Sequence, residues 1–239
     1  MEITKEQRQQ LKAEGFLSNR DRVHFSARIV TRNGVLSAEQ MQRVCVAAER
    51  FGSGDIALTM RMSVELPGVP FENTQPLKDF LEPAGLCVGG TGPKVRPVVA
   101  CKGSYCQFGR IDTLGIALLI HERFYEEYRG TKLPNKFKIG VGGCPNSCIK
   151  PDLNDFCLVG HRAGAEGSIG SAECQVFLGG RWGRERQHGV PLSRIVTVDE
   201  ALDLLEKALQ LFIQEGQPGE RFGQTVERLG MEAIEAALL

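Results

Sequence analysis

Apolar and polar positions along the chain repeat with two periods. Residues 23–30, VHFSARIV, alternate as a strand, and Asn33-Gly34 marks a turn. Ser37-Ala-Glu-Gln40 forms a capping box that opens a helix running to about Phe51. Residues 55–66, DIALTMRMSVEL, alternate throughout, which predicts one half-buried strand. Ile56, Leu58, Met60, Met62, Val64 and Leu66 would face a core, with Thr59, Arg61, Ser63 and Glu65 on the other side. A short helix around residues 75–82 closes at Gly85.

Beyond the glycine-rich turn at 89–93, residues 95–100 read as an apolar strand and 112–128 as a helix. Residues 136–141 form a strand whose polar face carries Lys136 and Lys138, while Phe137, Ile139 and Val141 face inward. Strands follow near 155–160 and 173–178, and helices over about 198–214 and 220–237 complete the pattern after a polar, partly helical leader at 1–20. A β-α-β-α order followed by strands, helices and strands predicts an α+β fold in two subdomains, 1–85 and 86–239.

Composition adds mainly exclusions. With 42% apolar and 24% charged residues, a chain of 239 can bury a real core. Its formal net charge of zero argues against nucleic acid or an anionic membrane as a partner. Nothing approaches the ~20 apolar residues of a membrane span. The charged N-terminal segment reads as neither signal peptide nor anchor, so a cytoplasmic, reducing location is expected. Eight cysteines there point to metal or redox use rather than disulfides.

Four of them fall in two tight pairs, Cys101/Cys106 and Cys144/Cys148. One helical turn would put Cys144 and Cys148 on a common face, with Pro145 in its first turn. Gly142 and Gly143 allow close backbone approach to an inserted group. Four thiolates are the usual complement of a 4Fe–4S cluster, with a zinc site as the alternative. Cys45, Cys87, Cys157 and Cys174 sit in helix or strand patterns and read as small buried hydrophobes. The histidines, His24, His121, His161 and His188, show no ligand spacing. Arg61, Arg96, Lys136 and Lys138 each read alone as surface charges. Three of them lead into the paired cysteines, and together such groups would bind a small oxyanion and donate protons to it.

These motifs resemble the siroheme-dependent sulfite and nitrite reductases over roughly residues 20–232. ARIVTRNGVLSAEQMQRVCVAAERFGSGDIALTMRMSVELPGV is similar to the family's ferredoxin-like substrate-side domain, with Arg61 at its active-site arginine. TGPKVRPVVAC places Arg96 on a second anion-binding arginine, and LPNKFKIGVGGCPNSC places Lys136 and Lys138 on the two catalytic lysines. Cys101, Cys106, Cys144 and Cys148 match the cluster ligands, and Cys148 the thiolate that also bridges to the siroheme iron. Leu178-Gly-Gly180 and Gly219-Glu-Arg-Phe-Gly223 are likewise similar. The first cysteine pair encloses four residues where many relatives have five. The resemblance therefore implies a ferredoxin-like N-terminal subdomain followed by an α/β siroheme- and 4Fe–4S-binding subdomain.

It also implies six-electron reduction of sulfite to sulfide, with nitrite reduction to ammonia or a non-catalytic siroheme or iron–sulfur carrier as alternatives. Siroheme carries eight carboxylates, for which Arg28, Arg32, Lys94 and Arg162, Thr91 and the amides of 89–92 are the candidate partners. No nicotinamide or flavin fingerprint is visible, so electrons would come from an external donor such as a ferredoxin. Large relatives hold two copies of this unit and this chain resembles the single-copy, low-molecular-weight enzymes of anaerobes. That implies a homodimer with basic residues of one subunit facing the cofactor of its partner.

Overall fold

The alternating and amphipathic segments of the first half fold into an antiparallel sheet covered by helices. The computed structural model describes residues 3–165 and 168–239. It comprises two compact units, Met1–Gly92 and Pro93–Leu239. The first contains α1 (Lys5–Glu14), β1 (Phe16–Ser18), β2 (Phe25–Val30), α2 (Ala38–Phe51), β3 (Ala57–Leu58), β4 (Val64–Val69), α3 (Thr74–Leu81) and β5 (Cys87–Val88). Strand order is β1-β2-β4-β3, and β5 also pairs with β2. The Ser37 hydroxyl and Gln40 side chain complete the expected capping box on α2. Phe16, Phe25, Ile29, Val44, Leu66, Leu77 and Leu81 form the core. Because Cys87 and Val88 pair with Val30 and Ile29, the first unit runs on to Gly92 rather than stopping at residue 85.

The alternating segment at 55–66 is a hairpin and not one strand. β3 pairs with β4 through Leu58↔Val64, and the chain reverses over Thr59–Met62. Thr59 N–H donates to the Ser63 carbonyl at 3.0 Å, and the two hydroxyls lie 3.0 Å apart. Met62 takes a left-handed φ of 54°. Side chains that formally alternate are thus split by the turn. Leu58 is 81% and Met60 94% exposed, so neither reaches the core.

The second unit contains β6 (Val99–Ala100), α4 (Thr113–Ile120), β7 (Ile139–Gly142), β8 (Phe156–Arg162), β9 (Glu173–Leu178), β10 (Val190–Pro191), β11 (Val196–Thr197), α5 (Val198–Glu215), α6 (Phe222–Leu229) and α7 (Met231–Leu238). Strand order is β10-β9-β8-β7-β6, with β11 also on β9. β6, β7 and β8 run parallel, while β9 is antiparallel to β8. The predicted strand at 95–100 pairs fully only at its end, and Val95 meets Phe137 in an isolated parallel bridge. The predicted helix at 112–128 is α4, capped by Asp112, continuing as a π turn over His121–Glu126. The last predicted helix breaks at Gly230, whose φ of 86° ends α6 and starts α7. Phe137, Phe212 and Phe222 meet with ring centroids 5.2–5.9 Å apart, locking the strand before β7 onto α5 and α6.

Candidate functional site

The carboxyl ends of parallel strands are where open sheets present ligands. Here the carboxyl ends of β6 and β7 lead directly into the two cysteine loops. Cys101 N–H donates to the Val141 carbonyl at 3.1 Å, and the Cys101 carbonyl accepts from the Thr113 hydroxyl at 2.6 Å. Gly143 N–H donates to Cys101 Sγ at 3.1 Å. A Cβ on Gly143 would lie 2.9 Å from the Gly103 Cα, so the loops touch backbone to backbone. Cys106 ends the 3-10 turn Gly103–Tyr105.

Cys144 and Cys148 are not on a helix. The segment makes two successive turns, with Ser147 N–H donating to the Cys144 carbonyl at 3.4 Å and Lys150 N–H to the Ser147 carbonyl at 2.8 Å. Ser147 and Lys150 take left-handed φ angles of 52° and 47°, which a helix cannot absorb.

All four paired cysteines are free thiols; Cys148 is exposed and the others half-buried. By contrast, burial pushes the Cys157 thiol well above its ordinary range and Cys174 to about 12, so both stay protonated in the core. Cys45, expected to be buried, is exposed on α2, and Cys87 is half-buried. Among the described residues no three His, Cys, Asp or Glu side chains converge as a single ion requires. Tetrahedral zinc draws four donors to about 2.0–2.3 Å from one point. A cubane instead takes one thiolate at each of four irons, so its donors stand farther apart. Four free thiols on two touching loops fit the cluster.

The cations gather on the extended segments just before β6 and β7. Arg96 N–H donates to the Phe137 carbonyl at 2.8 Å, and Phe137 N–H to the Lys94 carbonyl at 3.1 Å. Val95 and Phe137 are buried, so strand alternation turns Lys94, Arg96, Lys136 and Lys138 to the opposite face, where all four are half-buried. Lys138 Nζ donates to the Trp182 carbonyl at 3.3 Å, and its main-chain N–H to Asp155 Oδ2 at 2.8 Å. This array suits an acidic macrocycle rim or a small oxyanion. The cations precede β6 and β7 whereas the cysteines follow them. Within this unit Arg96 stands five positions before Cys101 and Lys138 six before Cys144, a separation of about 17–20 Å along extended chain at the usual rise of ~3.3 Å per residue.

Arg61 lies in the first unit at the hairpin tip, half-buried, its N–H donating to the Thr59 hydroxyl at 3.3 Å. Arg28 is engaged by Glu65 at 2.5 and 2.9 Å and by the Gly90 carbonyl at 3.3 Å. The Thr91 hydroxyl donates to the Lys12 carbonyl and Gly89 N–H to the Arg28 carbonyl, so both donors are already used. Arg32 is exposed, and the exposed Arg162 faces Glu173 at 3.8 Å. Sequence reading overlooked Asp155 and Arg221, which pair beneath Lys138. An aspartate set directly against the apolar run of β8 was the available signal.

Two family models match the chain. The nitrite/sulfite reductase ferredoxin-like half domain covers residues 18–84, and the nitrite and sulphite reductase 4Fe-4S domain covers 91–238. An assimilatory-type sulfite reductase of Nitratidesulfovibrio vulgaris is 29% identical over 228 residues, 95% of this chain and 97% of that one. A ferredoxin–nitrite reductase of Synechococcus elongatus is 29% identical over 182 residues, 74% of this chain and 34% of the relative. The solved Mycobacterium tuberculosis NirA protein superposes with a TM-score of 0.81 at 16% identity, covering 99% of this chain and 47% of that one, which is a likeness of fold.

Proposed function

Since the chain belongs to the nitrite and sulphite reductase family, whose cofactors are siroheme and a 4Fe–4S cluster, we propose that it reduces sulfite to sulfide. The observation that carries this reading is the half-buried face of Lys94, Arg96, Lys136 and Lys138, set on the strands that lead into the cysteine loops. Cys101, Cys106, Cys144 and Cys148 would hold the cluster, and Cys148 is the exposed thiol of the four. When bound, the two cofactors supply and relay the electrons. Sulfite takes up six electrons and six protons, giving sulfide and three waters.

The chain's own part is capture and protonation. Arg96 and the lysines offset the charge of the oxyanion and orient its oxygens. The Lys136 and Lys138 ammoniums donate protons to those oxygens as each leaves as water. Arg61 retains the anion-binding role that its position in the hairpin motif implies. Electrons come from a separate small donor of the ferredoxin type in the cytoplasm.

The separation of cations and thiols along β6 and β7 supports a composite site. In a homodimer, the cations of one subunit would serve the cofactor of its partner. Nitrite reduction is the second reading, favoured by the similarity to the ferredoxin–nitrite reductase.

Turnover by the cofactor-loaded protein with reduced methyl viologen tests the activity. Sulfite consumption with stoichiometric sulfide is expected, and Lys138→Met should lower it about 10²-fold or more with the visible spectrum unchanged. A faster rate with nitrite would move the assignment to the second reading. No turnover of either anion by loaded protein would leave only a carrier.

A further inference from the structure

Beneath the cation face lies a carboxylate that the proposed chemistry does not use. Asp155 is 0% exposed and, among the described residues, the only buried carboxylate. Arg221 Nη2 donates to its two oxygens at 2.9 and 2.7 Å, and the second oxygen also accepts the Lys138 main-chain N–H at 2.8 Å. The next residue extends the hold: Phe156 N–H donates to the Lys138 carbonyl at 3.1 Å. Both main-chain polar groups of Lys138 therefore end on the 155–156 dipeptide.

Arg221 is anchored in turn. It is the residue before α6, in the Gly219-Glu-Arg-Phe-Gly223 segment. A Cβ on Gly223 would lie 2.2 Å from the Gly179 carbonyl oxygen, so the start of α6 sits directly on that turn. Gly179, at a φ of 79°, donates its N–H to the Asp155 carbonyl at 2.8 Å. Gly223 and Gly179 thus bring the backbones that carry Arg221 and Asp155 close enough for the ion pair to close.

A buried ion pair is a poor source of stability, because desolvation consumes most of the attraction. An apolar pair of similar volume would fill the same space. Burial raises the Asp155 carboxyl above its ordinary range, and the opposing pull comes first from Arg221, then from the amide and charge of Lys138. The two cations acting on this carboxylate are therefore one structural arginine and one member of the anion-binding face.

We propose that Asp155 and Arg221 are positioning residues for Lys138, fixing its strand so that the ammonium keeps its place on that face. The inference rests on the role given to Lys138 above.

The test uses the cofactor-loaded protein and the variants Asp155→Asn and Arg221→Lys, each checked by thermal melt and visible spectrum. A water-soluble acylating reagent is applied at fixed pH, and labelling of Lys138 is followed by peptide mass spectrometry with exposed Lys132 as internal reference. Asp155→Asn weakens the fork that joins Arg221 to the Lys138 main chain, so the strand loosens and the Lys138 amine is freed from the Trp182 carbonyl toward the reagent. Lys138 is expected to label severalfold faster, with Lys132 unchanged and Arg221→Lys intermediate. In turnover, Asp155→Asn should add no loss on a Lys138→Met background, whereas its loss should multiply with that of Lys136→Met.

Folded, loaded variants whose Lys138 labels at the wild-type rate would overturn the proposal. So would an Asp155→Asn loss that is the same with and without Lys138. Where Asp155→Asn does not fold, Arg221→Lys carries the comparison, since it keeps the charge and loses only the forked geometry. A wild-type protein inert toward sulfite and nitrite would sink the proposed function, and the labelling arm would still decide this inference.

Discussion

Charge placement at single residues sets how this molecule responds to acid. Two Arg228 hydrogen bonds hold the Glu220 carboxyl down at about 2 against its partial burial, with help from the Gln217 amide and the Thr225 hydroxyl. A carboxylate whose pKa is lower folded than unfolded stabilises the fold above its ordinary value. That contribution is complete above about pH 4.5 and lost as the pH falls toward 2. Melting temperature followed across that window should drop steeply in the wild type and more gently in Glu220→Gln. Parallel slopes would show that Glu220 carries none of the acid response. Individual residues were also where the sequence spoke least evenly. The two cysteine pairs stand out in the sequence because their spacing is chemical, whereas the structure groups Arg96, Lys136 and Lys138 with Lys94 and leaves Arg61 in the first unit. Asp155 and Arg221 do not stand out, since a pair formed across 66 residues leaves no local pattern.

Among the elements, period and capping were informative wherever the chain does not reverse direction. α2 and its capping box, β2, β8, β9 and α5 lie where alternation and amphipathicity put them. Two of the failures share one cause. Residues 55–66 and the Cys144–Cys148 loop both contain non-glycine residues at positive φ, Met62 and Ser147, which composition does not announce. A period of two continues through a tight turn as if nothing had happened. The hairpin makes its own prediction, checked by denaturant titration. Leu58→Ser and Met60→Ser should leave stability within about 0.5 kcal/mol, as expected for surface positions. Leu66→Ala, fully buried in β4, should cost about 2–5 kcal/mol. Equal losses at all three positions would contradict the turn.

For the whole molecule, the α+β class, the ferredoxin-like first unit and the cluster-binding second unit were legible from the order of elements together with the family motifs. What no linear pattern displayed is that neighbours in sequence become opposite ends in space. Lys138 and Cys144 are six positions apart, yet the length of β7 lies between them. The composite homodimer proposed from this separation predicts complementation. Mixed and reassociated Lys138→Met and Cys148→Ser proteins should regain up to about a quarter of wild-type turnover, while each alone stays inactive; sedimentation should show a dimer. Activity that appears only in fully wild-type protein, or a fully active monomer, would refute the composite site.

The four half-buried cations flanking Val95 and Phe137 carry one more implication. Such a surface sorts visitors by valence and size, and hardly at all by which element sits at the centre of the anion. Discrimination between one small oxyanion and another is therefore left to the later bond-breaking events, and abundant bystander anions should act on this protein chiefly as occupants of its doorway.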